Sequence, residues 1–246
     1  MTIALELIPR DKQSLVLSLK QALKFPEITL INVPDLKKFF LRSWEACAII
    51  AETQPINTMP HIRAIDFDLQ QSFSLCEPLR GINRVLVIAG DPPAEGSAFK
   101  TYPTETTAFI RRLKTEMPGL KIYAAFDPYR TNIRYELDYL KAKEDAGAEG
   151  FMSQPFFDLR LLEIYAEYLE GKDVFWGISP VLSESSRNYW ESRNRAIFPR
   201  SFTPSLNWNV DFGRNVLGFC KKQGFSVYLM PIMVNINSYL AALFAP

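Results

Sequence analysis

Short apolar runs alternate with longer amphipathic ones along the whole chain. The runs from Ile3 to Ile8, Ile28 to Val33, His61 to Asp66, Val85 to Ala89, Ile122 to Phe126, Gly150 to Gln154, Val174 to Ile178 and Val227 to Ile232 each have the length of a strand. Between them, apolar residues recur at helical spacing, most clearly Ile133, Leu137 and Leu140 before Gly147, and Leu161, Leu162, Tyr165, Tyr168 and Leu169 before Gly171. Strand then helix, eight times over, predicts an α/β protein built as a (β/α)8 TIM barrel. No Gly/Ser-rich linker, low-complexity stretch or internal repeat interrupts the pattern, so residues 1–246 read as one barrel domain. Arg200 to Asn209, which follows Pro199 and contains Pro204, is the least regular part and is expected to be a long loop before the last helix and strand.

Length agrees with this picture, because 246 residues match the ~250 that a single barrel needs. A formal charge of +1 gives no basic field for nucleic acid or an anionic membrane, and 48% hydrophobic residues exclude a disordered chain. A small molecule is the expected partner. Cys47, Cys76 and Cys220 are odd in number and widely spaced, as reduced structural thiols of a cytoplasmic protein would be. With a single histidine, no metal site is expected. The N-terminus has no basic region followed by an apolar core and no stretch reaches a bilayer's width, so neither secretion nor membrane insertion is expected.

In a parallel barrel, ligands meet the carboxyl ends of the strands, and three candidates stand there. Glu6 lies between Leu5 and Leu7, so alternation places it on the lumenal face. A carboxyl there either pairs with an inward cation such as Arg63 or stays protonated with a raised pKa. Gly90-Asp91-Pro92-Pro93 closes the fourth strand, with the glycine allowing close approach of a ligand and the prolines stiffening the exit, so Asp91 is held at the mouth to stabilise positive charge or simply makes a turn. Gln154 ends the sixth strand before Pro155, where an amide reads a polar ring edge or ties its own loop. His61 is a satisfied core or edge residue or a catalyst, and Glu136 and Lys143, seven apart on one helix, share a face that is either solvated or grips a cofactor's phosphate and ribose. There is no phosphate-binding glycine loop, nucleophile elbow or Cys-x-x-Cys motif. Two carboxylates on separate strands would also suit a glycosidase.

Taken together, the motifs resemble the catalytic domain of methylenetetrahydrofolate reductases. The resemblance is carried by Leu5-Glu6-Leu7-Ile8-Pro9, Pro60-His61, Ala89-Gly90-Asp91-Pro92-Pro93, the run Lys141 to Ala148 followed by Ser153-Gln154-Pro155-Phe156-Phe157-Asp158, and Gly177-Ile178-Ser179-Pro180-Val181. It runs in order from about Ile3 to Pro199. It implies that Glu6 is the general acid that opens the five-membered ring of methylenetetrahydrofolate, that Asp91 stabilises the resulting iminium, that Gln154 holds the pterin, and that Trp190 packs on folate or nicotinamide. It also implies FAD as hydride carrier, reduced by NADH or NADPH in a ping-pong cycle, with His61, Tyr102, Phe126, Arg130, Glu136 and Lys143 at FAD-contact positions. At those positions the chain departs from the family: Ala89 replaces an arginine, Phe126 a tyrosine and Arg130 a histidine, and Asn32-Val33-Pro34-Asp35 replaces a Thr-Tyr pattern. The departures leave two alternatives, a flavin-independent reductase and a non-catalytic folate-binding subunit of a methyl-transfer complex. A homo-oligomer or a methyl-transfer partner protein is compatible with either.

Overall fold

The computed structural model describes residues 1–72, 74–93 and 99–245. Eight parallel strands close into a barrel in chain order: β1 (Ile3–Glu6), β2 (Leu30–Val33), β3 (Asn57–Arg63), β4 (Arg84–Ile88), β5 (Lys121–Phe126), β6 (Gly150–Pro155), β7 (Val174–Ile178) and β8 (Ser226–Leu229). Among the described residues eight helices surround them: α1 (Lys12–Ala22), α2 (Ser43–Thr53), α3 (Thr106–Glu116), α4 (Ile133–Asp145), α5 (Leu159–Tyr168), α6 (Glu184–Asn194), α7 (Leu206–Gln223) and α8 (Ile236–Phe244). The (β/α)8 expectation therefore holds.

The helices are not distributed one per strand. Among the described residues the β3–β4 connection carries only a 3-10 turn, Ala64–Asp66, while the β7–β8 connection carries both α6 and α7. The stretch after Asp66 lacks a 3.6-residue apolar stripe and contains Pro78 and Gly81, which disfavour a helix. The expected strand from His61 to Asp66 is displaced: β3 starts at Asn57, and Asp66 lies in the turn, bonded electrostatically to Lys37, Arg42 and Arg63. The expected loop from Arg200 to Asn209 is also shorter, because the Ser205 side chain accepts from the Trp208 N–H and starts α7 at Leu206.

Alternation along the strands sorts side chains into two layers. Outward residues such as Leu5, Ile31, Val87, Phe126, Phe151 and Trp176 pack against the helices in the main core. Inward residues Ala4, Leu30, Met59, Leu86, Tyr123, Met152 and Phe175 fill the lumen. Above this plug, at the carboxyl ends, the inward positions turn polar, with Glu6, Asn32 and His61 following Ala4, Leu30 and Met59 along their strands. A third cluster, built from Tyr129, Phe157, Val181, Trp190, Ala196 and Phe202, covers the connections after β5, β6 and β7. Gly147, at φ +115°, closes α4, and Asp158 caps α5 by accepting from the N–H groups of Arg160 and Leu161.

Candidate functional site in the barrel mouth

Above the apolar plug, β8, β1, β2 and β3 each contribute one polar side chain to a connected group. The Tyr228 hydroxyl donates to Glu6 Oε2, and the Asn32 amide contacts His61 Nε2 at 2.8 Å and bears on the Tyr228 hydroxyl. The rings of His61 and Tyr228 meet edge-on with centroids 6.5 Å apart. Strand register explains the convergence, since Glu6 pairs with Asn32 across β1–β2 and Ala4 pairs with Tyr228 across the closing β1–β8 seam.

Burial sets the protonation of the group. Loss of solvation lifts the Glu6 carboxyl from 4.5 to about 7, with the Tyr228 hydrogen bond opposing part of that rise. At neutral pH, Glu6 is therefore divided between acid and carboxylate. Burial also lowers His61 to about 3, so its imidazole is neutral, and an Asn32 N–H pointing at Nε2 leaves the ring proton on Nδ1. No ion pair to Glu6 occurs among the described residues. Arg63, the cation considered for that role, instead donates to the Asp91 carbonyl at 2.6 Å and lies 3.4 Å from Asp66.

The remaining candidates are spread over several environments. Asp91 is exposed just beyond β4, its backbone held by Arg63 and its carboxylate open to solvent. Gln154 is exposed near the end of β6, beside a register shift between Met152 and Pro155 where the Ser153 hydroxyl accepts the Gly177 N–H at 2.7 Å. Both stand at the carboxyl ends of their strands. Trp190 is 4% exposed and packs edge-on against Phe157 at 5.3 Å, inside the cluster over β5–β7.

The residues at FAD-contact positions do not share one surface. Phe126 points outward from β5 and packs with Phe156, Tyr165 and Trp176 under the helices. Glu136 and Lys143 do lie on one face of α4, but each is only 4% exposed. Glu136 accepts from the Asp127 N–H at 3.2 Å and the Thr131 hydroxyl at 3.4 Å. Lys143 Nζ donates to the Ala125 carbonyl at 2.7 Å and sits 3.9 Å from the centroid of the Tyr139 ring. Its pKa is pushed down to about 8 by burial. The face read as solvated or ligand-gripping is thus turned toward the barrel. Tyr102 is partly exposed and bonds through its N–H to the Ile65 carbonyl, and Arg130 is exposed, 3.8 Å from Asp127.

A dinucleotide's pyrophosphate needs free N–H groups or cations at the strand ends, and its close approach needs open backbone. Gly90 has φ +91°, but a Cβ there would come within 2.9 Å of Ile65 and 3.1 Å of Arg63 Nε, so this chain's own side chains occupy the opening expected for a ligand. His61 Nε2 is engaged by Asn32 and Lys143 by a strand carbonyl. The described residues do not fit a flavin dinucleotide held at the positions that the resemblance implies.

Two residues of the lumenal group escaped the sequence reading of the site. Asn32 stands out in the sequence only as a departure from the family pattern, although a polar side chain inside Leu30-Ile31-Asn32-Val33 signals a buried partner. Tyr228 sits within an apolar run, and its partner lies 222 positions away across the barrel seam.

The fold is a parallel barrel with a connected polar group at the carboxyl ends of its strands, the end at which barrels of this kind generally bind their ligands. The sequence then says which barrel family this is. A model of the family described as methylenetetrahydrofolate reductase matches residues 22–210, well over half of the chain, and the chain belongs to that family. A 5,10-methylenetetrahydrofolate reductase of Buchnera aphidicola subsp. Schizaphis graminum is 24% identical over 154 residues, 59% of this chain and 52% of the relative. One from Pectobacterium carotovorum subsp. carotovorum is 26% identical over 112 residues, 45% and 38% of the two chains. These matches span about half or less of the relatives' length. Among solved structures, an uncharacterized Clostridium thermocellum protein that binds two copies of 5-methyl-5,6,7,8-tetrahydrofolic acid superposes with a TM-score of 0.68 at 11% identity, covering 98% of this chain and 92% of its own. A 2,3-dimethylmalate lyase superposes at 0.58, with 10% identity over 99% of this chain and 78% of its own. No helix among the described residues is long and apolar enough to cross a membrane.

Proposed function

We propose that the barrel reduces 5,10-methylenetetrahydrofolate to 5-methyltetrahydrofolate with hydride that originates from NADH or NADPH. The observation that carries this reading is Glu6, a carboxyl on the lumenal side of β1 whose pKa of about 7 lets it hold a proton at neutral pH and give it up on demand. Family membership and the folate bound by a structural neighbour support the substrate class.

The reaction places two demands on the chain. One bridging carbon–nitrogen bond of the substrate must break, which needs a proton at the departing nitrogen, and the iminium left behind must survive until hydride arrives. Glu6 supplies the proton, with Tyr228 fixing the orientation of its carboxyl by bonding Oε2 and leaving Oε1 unengaged. Asp91, a carboxylate on a segment anchored by Arg63, faces the cation electrostatically. Gln154, exposed at the strand end, offers an amide donor and acceptor to the pterin edge. Neutral His61 lends polarity without a competing positive charge.

The test is a comparison of the parent protein with Glu6→Gln in two assays, equilibrium binding of 5-methyltetrahydrofolate and nicotinamide-driven reduction of methylenetetrahydrofolate. Binding should survive while reduction falls by about 10³-fold, within the range that a general acid contributes. Equal reduction by the two proteins would remove Glu6 from the acid's role. Binding without reduction by the parent protein under either nicotinamide, with and without added FAD, would make the chain a folate-binding subunit.

A further inference from the structure

We infer that the hydride donor of this barrel is a dissociable reduced nicotinamide dinucleotide that delivers hydride straight to the bound folate, with no flavin resident between them. This rests on reading the mouth as the folate site. It comes from the opposite side of the barrel, where the groups that would anchor a permanently held dinucleotide are bonded to the protein itself.

A resident cofactor must stay bound while products leave, so its phosphates need a built anchor of converging N–H groups and cations. Over β3–β5 the described residues build something else. Lys143 lies beneath the surface with its ammonium on the Ala125 carbonyl. Arg63, at the end of β3, donates to the Asp91 carbonyl and closes over Gly90, so the one backbone opening on β4 is filled from within. Ala89, exposed beside it, carries no charge. The exposed groups on the β5–α4 connection include Arg130, whose guanidinium is 3.8 Å from the Asp127 carboxylate, and that carboxylate repels a pyrophosphate. An exposed arginine beside a carboxylate steers a dinucleotide on and off more readily than it retains one.

Direct transfer balances without another carrier. The C4–H bond of the dihydronicotinamide breaks and its electron pair goes with hydrogen to the iminium carbon, forming the third C–H bond of the methyl group. The nicotinamide becomes the aromatic cation and is released. The nitrogen that left the bridging carbon keeps the proton donated by Glu6, and Glu6 takes a replacement from solvent.

Deuterium at C4 of the nicotinamide distinguishes the routes, because hydride passing through a flavin becomes an N–H that exchanges with water, whereas direct transfer is never exposed to it. The full-length protein, as purified and dialysed, is assayed with (4R)- and (4S)-deuterated NADH and NADPH, with and without added FAD, alongside its absorbance spectrum. The expected result is a protein without a flavin band, initial-rate lines that intersect, turnover unaffected by FAD, and deuterium retained in the product methyl group from one of the two faces. A protein that keeps FAD through dialysis, or turns over only when FAD is supplied, with the label lost to water, would overturn the inference and leave the folate reading intact. Absence of folate reduction under every donor, with or without FAD, would overturn both.

Discussion

The two sides of the barrel mouth contain similar kinds of residue and use them in opposite ways. Over β8, β1, β2 and β3, buried polar side chains bond to one another, and Glu6 retains an unengaged oxygen and a pKa of about 7. Over β5 and α4, Glu136 and Lys143 bond chiefly to backbone groups, and their charge holds the β5–α4 connection together. A charged group beneath a surface is therefore no sign of a ligand until its hydrogen bonds have been followed. What separates the two sides is whether a proton or a lone pair is left over for something else.

The sharpest way to break this contrast is to remove Glu136. If α4 is structural, Glu136→Leu loses two hydrogen bonds to a buried carboxylate and leaves the Lys143 ammonium without its acidic neighbour, a destabilisation of about 3 kcal/mol. The loss should be greater at pH 6 than at pH 9, because Lys143 is charged below its pKa of about 8 and neutral above it. Urea denaturation at the two values measures this. Folate reduction per folded molecule should not change, and a raised KM for the dinucleotide would show instead that Glu136 contacts a ligand.

On the lumenal side the sign is reversed. Glu6 has a folded pKa above its unfolded one, so between about pH 4.5 and 7 the folded state holds a proton that the unfolded state has released. The contribution of Glu6 to stability therefore falls as pH rises through that window and is at its lowest above it. Glu6→Gln should consequently stabilise the protein relative to the parent by about 2 kcal/mol more at pH 8 than at pH 5. His61, whose pKa falls to about 3, pulls the other way by losing stability as pH drops below 6.5, but it does so in both proteins and cancels from the difference. A difference independent of pH would mean that Glu6 titrates like a surface carboxyl.

The sequence showed the lumenal side more readily than the other, for a geometric reason. Alternation between Leu5 and Leu7 fixes where Glu6 points, because a strand has only two faces and one is claimed by leucine. A helix offers no such certainty. The seven-residue spacing of Glu136 and Lys143 says that they share a face, which they do, but whether that face meets solvent or the sheet depends on how α4 is rolled against β5. Tyr228 is harder still, since its partner is set by closure of the barrel and no local pattern records that β8 returns to β1, whereas Asn32 meets His61 on the neighbouring strand. The 3-10 turn in place of a helix after β3 has the same origin: the regular β–α rhythm carried the expectation past a segment whose own residues do not support a helix.

The smallest expected effect is the most informative about how Glu6 is tuned. Tyr228 donates to the carboxylate, so its hydroxyl favours the ionised form, and burial opposes it more strongly. Tyr228→Phe deletes the hydrogen bond and keeps the ring that packs beside His61. With only desolvation left, the pKa of Glu6 should rise by about one unit, equivalent to about 1.4 kcal/mol. If the protonated acid is the active form, the alkaline limb of the pH–rate profile moves upward by the same amount, so the variant is slower than the parent near neutrality only through lost orientation and gains on it at high pH. A uniformly lower rate with an unmoved profile would assign Tyr228 a packing role, and a limb displaced toward acid would mean that the hydroxyl oxygen accepts a hydrogen bond from the protonated Glu6 carboxyl.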